Sequence, residues 1–209
     1  MEELNPEEAP IEVVDPVEPV ETVAPEGQTP PTSSTWVRAA LDIVETLLLA
    51  VILFFVINAV SARVRVDGFS MLPTLENGEF VLVNKLAYRL GEPHYGDIVV
   101  FSYPLDPGED LIKRVIGLPG DIIKVDNGTL YINEQPIDEP YIAAAPEYTG
   151  QWLVPPDSLF VLGDNRNDSS DSHAWGVLPQ SNVIGRAVVI YWPPENWEIL
   201  DTLVVSAAP

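Results

Sequence analysis

The chain has 209 residues, room for one ordinary domain with attachments. Its formal charge of -22, from 10 Lys+Arg against 32 Asp+Glu, argues against nucleic acid as a partner, because phosphate binding needs clustered bases. Zero cysteines exclude a disulfide frame and thiolate chemistry, while 46% hydrophobic residues leave enough apolar surface to build a core.

Residues 1–35 are rich in Pro and Glu and carry nine carboxylates, seven prolines and no base. Like charges and so few apolar side chains cannot offset chain entropy, so a disordered acidic tail is expected, with a docking arm for a basic partner as the alternative.

Residues 36–62, WVRAALDIVETLLLAVILFFVINAVSA, come next, and Thr46 to Ala62 carry no charge. Those 17 uncharged residues rise about 26 Å as a helix, and the preceding turn with Asp42 and Glu45 brings the length to the roughly 30 Å of a hydrocarbon layer. A single transmembrane helix is predicted. A cleaved signal peptide fits poorly, because the run begins far from Met1 and lacks a basic leading region. Arg38 precedes the span and Arg63 and Arg65 lie beyond it, so the positive-inside count favours a cytoplasmic position for the body after the span.

From residue 63 to 209 the texture changes to short β-branched runs between Gly, Pro, Asn and Asp. Strands are expected at 79–84, 97–103, 111–117, 121–126, 129–133, 158–162 and 183–192, with a helical turn at 85–90. Asn127-Gly128 is the strongest hairpin signal, since both central residues of a type I′ turn need positive φ. The body is therefore read as a mainly β domain, a coiled antiparallel sheet of barrel-like form.

The candidate chemistry begins at Ser70, in Val66-Asp67-Gly68-Phe69-Ser70-Met71-Leu72-Pro73-Thr74-Leu75. A serine becomes a nucleophile only beside a base. His173 is one base, in Asp171-Ser172-His173, although residues two apart on an extended segment do not readily bond each other, which weakens a Ser-His-Asp triad. Lys113 is the other, in Leu111-Ile112-Lys113-Arg114-Val115-Ile116-Gly117. Alternation sends Lys113 and Arg114 to opposite faces, one toward the core and the other toward water or a carboxylate. Only the lysine can lose its proton on burial, since guanidinium stays charged. A third segment, Gly163-Asp164-Asn165-Arg166-Asn167-Asp168-Ser169-Ser170-Asp171-Ser172-His173-Ala174-Trp175-Gly176, is either an Asx-rich loop closed on itself or a polar support for the base. His94 and His173 stand apart, so no metal site is expected.

These segments in this order, after a membrane span, resemble the bacterial type I signal peptidase family, membrane-anchored Ser-Lys endopeptidases that remove signal peptides. The matching stretches are GFSMLPTL, GDIVVF, KRVIGLPGD and GDNRNDSSDSHAWG, with weaker similarity through LYINEQPIDEPYI and GRAVVIYWPP. The resemblance implies Ser70 as nucleophile, Lys113 as general base, Ser169 as the serine that bonds the lysine and Asp171 as part of the same support. Asp164 and Arg166 fall on residues that brace the loop by an ion pair. Met71, Leu75, Leu111 and Ile112 fall on shallow apolar pockets that admit only small side chains at -1 and -3 of the substrate, the A-x-A rule.

The same resemblance implies no cofactor. It makes preproteins carrying signal peptides and the lipid bilayer the partners, with the enzyme itself expected to be a monomer. It places the tail in the cytoplasm and the catalytic domain outside the plasma membrane, against the charge count. Two departures stand out: Gly68 occupies a position where some members place a hydroxyl near the oxyanion, and His173 stands where many have Arg. Trp192 and Trp197, at a proline-stiffened turn, suit the headgroup region of a membrane or else a core. The competing class is a non-catalytic, membrane-tethered β-domain that binds secreted chains.

Overall fold

The structure is a computed structural model that describes residues 33–200, with side chains from residue 36. Residues 1–32 of the expected disordered tail and the last nine residues lie outside the described part, while residues 33–35, expected in the tail, open a helix instead. The described chain is divided between two compact units that meet at Leu47 and Leu48.

Helix α1 spans Ser33–Val60. Its stretch Trp36–Val60, 25 residues whose most apolar 18-residue window has a mean hydropathy of 2.6, is long and apolar enough to cross a membrane, at about 37 Å of rise against roughly 30 Å of hydrocarbon. The expected span to Ala62 is two residues too long. Ser61 and Ala62 instead open strand β1 (Ser61–Arg65), because β2 (Phe80–Asn84) offers them a ladder, with Ser61 opposite Asn84 and Ala62 opposite Val83.

A short helix α2 (Ala87–Leu90) falls within the expected 85–90 turn. Strands β3 (Ile98–Tyr103) and β4 (Asp106–Gly117) form a hairpin, succeeded by β5 (Ile122–Asp126) and β6 (Thr129–Ile132). Asn127 and Gly128 take φ of 48° and 78°, as a type I′ turn requires. The short β7 (Gln135–Pro136), β8 (Gly150–Leu153) and β9 (Ser158–Leu162) come next. Helix α3 (Ser172–Trp175) precedes β10 (Leu178–Pro179), β11 (Val183–Trp192) and β12 (Glu198–Ile199). Two-residue strands such as β7, β10 and β12 carry too little alternation to be read from sequence.

All pairings are antiparallel. The larger sheet runs β1-β2-β11-β3-β4-β9-β10, with β12 on β11, and the smaller runs β7-β6-β5-β8. The larger sheet stays open at β1 and β10, so the barrel-like expectation is corrected: no closed barrel forms among the described strands.

Alternation divides the interior. Met71 and Leu75 pack with Val66, Val81, Val83, Val100 and Ile190 in one cluster. Ile116, Phe160 and Leu162 turn toward Ile123, Val125 and Leu130 of the smaller sheet in a second. Val115, Leu159 and Val161 point the opposite way, to Val99 and Phe101. Strand β9 is thus apolar on both faces and buried throughout. Strand β4 lies between β3 and β9, which places Lys113 opposite Val99 and Arg114 opposite Leu162 in the centre of the sheet.

Candidate active site

Ser70 sits in the loop joining β1 to β2. The loop is closed at its base by Val66 N–H donating to Glu79 O and Gly78 N–H to Val66 O, at 2.8 and 2.9 Å. Gly68 adopts φ 111°, a conformation that L side chains rarely take, and its N–H donates to Asn77 Oδ1 at 3.0 Å. Gly68 is thus held by a backbone shape that only glycine adopts without strain. Met71 and Leu75 anchor the loop from below, and Ser70 itself is half-buried between them and the exposed Phe69.

The hydroxyl of Ser70 meets Lys113. Nζ of the lysine lies 2.8 Å from Ser70 Oγ and 2.9 Å from Ile112 O, across 43 residues of sequence. Lys113 is 3% exposed. Burial lowers its pKa from 10.5 to about 8, against the opposing pull of Asp171, Asp164 and Glu109. A buried amine beside a serine hydroxyl is the arrangement in which an amine can take the hydroxyl proton.

The third segment clamps the first. Asn165 N–H donates to Ser70 O at 3.1 Å, and Asn165 Nδ2 to Phe69 O at 3.1 Å. Gly163 is required by proximity, since a Cβ there would collide with the Ser70 carbonyl oxygen and with Ser169 Oγ. Asp171 is fully buried, receives the Gly163 N–H at 2.9 Å, and caps α3 through His173 N–H at 3.1 Å.

With this geometry in place, a family model described as "signal peptidase, peptidase S26" matches residues 40–192. The chain belongs to the S26 signal peptidase family. Signal peptidase I of Leptolyngbya laminosa is 43% identical to it over 190 residues, covering 83% of this chain and 92% of its own length. Probable signal peptidase I-1 of Synechocystis sp. is 40% identical over 190 residues, covering 87% of this chain and 96% of its own. A solved signal peptidase I from Enterococcus faecalis overlays 46% of this chain and 97% of its own at 32% identity and a TM-score of 0.43.

Within this S26 peptidase, several expected details are arranged differently. Asp164 and Arg166 do not pair with each other. Asp164 is taken by Arg114, whose Nε and Nη2 reach its two oxygens at 2.8 and 2.6 Å, and by the Thr74 hydroxyl at 2.5 Å. Arg166 is instead bidentate to Glu139 at 2.6 and 2.5 Å. The reason is reach: Arg114, one residue beyond Lys113 on β4, points to the opposite face and meets Asp164 there, as alternation requires. Tyr141 lies 4.2 Å below the Arg114 guanidinium and donates to Glu139 at 2.7 Å, linking the two pairs. Arg114, Glu139, Tyr141 and Thr74 carry no sequence signal of these roles beyond the Lys-Arg doublet.

Asp171 and His173 do bond, with Nδ1 2.7 Å from Asp171 Oδ1, because the chain turns into α3 rather than continuing extended. The imidazole is stacked on Tyr148, 4.0 Å between centroids at 8°. The Ser70 hydroxyl is held by Lys113, not by His173. Ser169 Oγ is buried without a hydrogen-bond partner, so the expected bond to the lysine is not made here. Met71 and Leu75 are 1% and 0% exposed, which makes them the floor under the loop rather than open walls, while Leu111 and Ile112 are half-buried.

Proposed function

We propose that this S26 peptidase is a membrane-bound serine endopeptidase that removes N-terminal signal peptides from exported preproteins through a Ser70–Lys113 dyad and an acyl-enzyme. The observation that carries the reading is the 2.8 Å contact between a buried lysine amine and a serine hydroxyl, with burial depressing the lysine toward neutrality. Neutral Lys113 takes the Ser70 proton as Oγ attacks the carbonyl after residue -1. The lysine returns that proton to the leaving amine, and a water deprotonated by the same group cleaves the ester. The amine and the hydroxyl supply every proton transfer in this sequence, so the reading invokes no cofactor.

The Ser70 backbone N–H is the first oxyanion donor in this reading. Asp171 and Asp164 brace the loop that receives the Ser70 carbonyl, with Arg166 holding that loop from Glu139. Ser169, whose hydroxyl is unengaged, is assigned to the lysine once Ser70 is acylated. Leu111 and Ile112 face the residues at -1 and -3, and the buried Met71 and Leu75 set the depth of those pockets. Small side chains are then preferred, as in the A-x-A rule. α1 anchors the enzyme in the plasma membrane with the tail in the cytoplasm and the body outside, acting as a monomer on preproteins at the bilayer.

A non-catalytic β-domain would have no use for a depressed lysine on a serine. A penem that acylates active-site serines separates the two. The expected result is a mass increase of one inhibitor mapped to Ser70, absent in Ser70→Ala and Lys113→Ala and retained in His173→Ala. Acylation in Lys113→Ala but not in His173→Ala would transfer the role to a triad.

A further inference from the structure

Two cavities flank the point where α1 gives way to β1, and they differ in chemistry. One, about 560 Å³, is an apolar groove walled by Leu82, Leu86, Ala87, Leu90 and Val188 and reaching Val60 and Ser61. The other, about 340 Å³, adjoins Ala59 and is walled by Lys85, Tyr88, Arg89 and Ile184. The short α2 stands between them, apolar residues to one side and basic ones to the other. Neither cavity has a carboxylate in its wall, in a chain with 32 Asp+Glu and 10 Lys+Arg. Glu92 borders the next hollow along, on the far side of Tyr88.

The depth of this arrangement is fixed by two hydrogen bonds. Lys85 N–H donates to Val60 O at 2.9 Å, and Lys85 Nζ to Asn58 O at 3.3 Å, so the basic residue sits on the last carbonyls of the apolar helix. The uncharged run ends within two residues, with Arg63 exposed immediately beyond. Leu90 is 84% exposed, more than any other large apolar side chain among the described residues. An apolar groove adjoining a basic pocket, at the height where a span leaves the bilayer, matches the two halves of an anionic phospholipid.

We propose that this junction is a binding site for one anionic phospholipid. An acyl chain occupies the Leu82–Leu86–Leu90 groove and the headgroup phosphate accepts hydrogen bonds from Lys85 and Arg89. The site rests on the reading of α1 as a membrane span. Occupancy fixes the body against the bilayer by a contact independent of the catalytic loop.

The test uses the full chain in detergent with added phosphatidylglycerol or phosphatidylcholine, read by native mass spectrometry. Phosphatidylglycerol is expected to be retained and phosphatidylcholine lost. Lys85→Ala combined with Arg89→Ala weakens retention about thirtyfold, from two basic contacts near an anionic lipid. Leu90→Asp, which leaves both bases in place, weakens it as well. Cleavage of a soluble peptide in detergent stays at the wild-type rate in both variants, which shows that they fold. Equal retention of both lipids by the wild type overturns the proposal, as does retention indifferent to Lys85 and Arg89, the result expected if the groove instead takes an apolar segment of a preprotein. Carbonate extraction of membranes distinguishes the causes: an extractable chain removes the span reading, whereas a chain that resists extraction without lipid preference removes only the site.

Discussion

At the scale of single residues the proposed mechanism turns on the charge of Lys113. With a pKa of about 8, roughly one molecule in ten carries the neutral amine at pH 7. The rate constant kcat/KM is therefore expected to rise about tenfold per pH unit below that value and to level above it; a profile flat through that range would contradict a lysine base. Stability depends on the same group with its own sign. Between about 8 and 10.5 the unfolded chain holds a proton that the folded chain has released, so stability rises with pH across that window. Lys113→Met abolishes cleavage, removes this rise and increases stability at pH 7, all measurable by denaturant titration at two pH values. Glycine at 163 is set by contact and glycine at 68 by φ. Gly163→Ala is expected to cost about 3 kcal/mol together with activity, because backbone and Ser169 must both move. Gly68→Ser would cost about 1–2 kcal/mol despite open space, and greater activity in that variant would contradict the conformational reading of this position.

At the scale of elements, β4 does two jobs on two faces, offering Lys113 to Ser70 and Arg114 to Asp164. Asp164→Ala leaves a guanidinium that is 1% exposed without its carboxylate and is expected to destabilise the body by about 3–5 kcal/mol in denaturant titrations. Simultaneous replacement of Arg114 and Asp164 by Met and Leu should recover much of that loss. The strand carrying this pair is legible in the sequence from Leu111 onward, because β-branched residues and alternation mark a buried strand. Its start at Asp106 is not, since DPGED reads as turn and gains strand character only by pairing with β3. Ser70 and Lys113 are legible as chemistry, and their approach is inferred by resemblance; no pattern in sequence brings together residues 43 apart. The Arg166–Glu139 pair is illegible for the same reason, as Glu139 lies in a loop with no periodicity. The Asp171–His173 bond is hidden because the segment reads as extended where a helix cap forms.

At the scale of the whole molecule, this member of the signal peptidase family has an apolar helix just ahead of a β body in the sequence, and the proposed nucleophile Ser70 lies ten residues past the helix end at Val60. Trp192 and Trp197 are 54% and 61% exposed, so neither is a core residue, and Asn196 is tied to Glu79 at 2.7 Å, at the root of the Ser70 loop. If this tip rests on the bilayer, Trp192→Ala with Trp197→Ala slows cleavage of a membrane-inserted preprotein severalfold while a short soluble peptide is cut at the wild-type rate; equal rates on both substrates would discard the contact. The proposed topology, with the body outside, predicts that protease added to intact cells removes epitopes in the body and spares the tail. The central claim is tested most directly by incubating the detergent-solubilised full chain with a preprotein whose signal ends in Ala-x-Ala and sequencing the product N-terminus. The Ser70–Lys113 mechanism predicts a single new N-terminus immediately after the second Ala, lost in Ser70→Ala and in Lys113→Ala and retained in His173→Ala. An undiminished product from Lys113→Ala, or one lost only in His173→Ala, would contradict it.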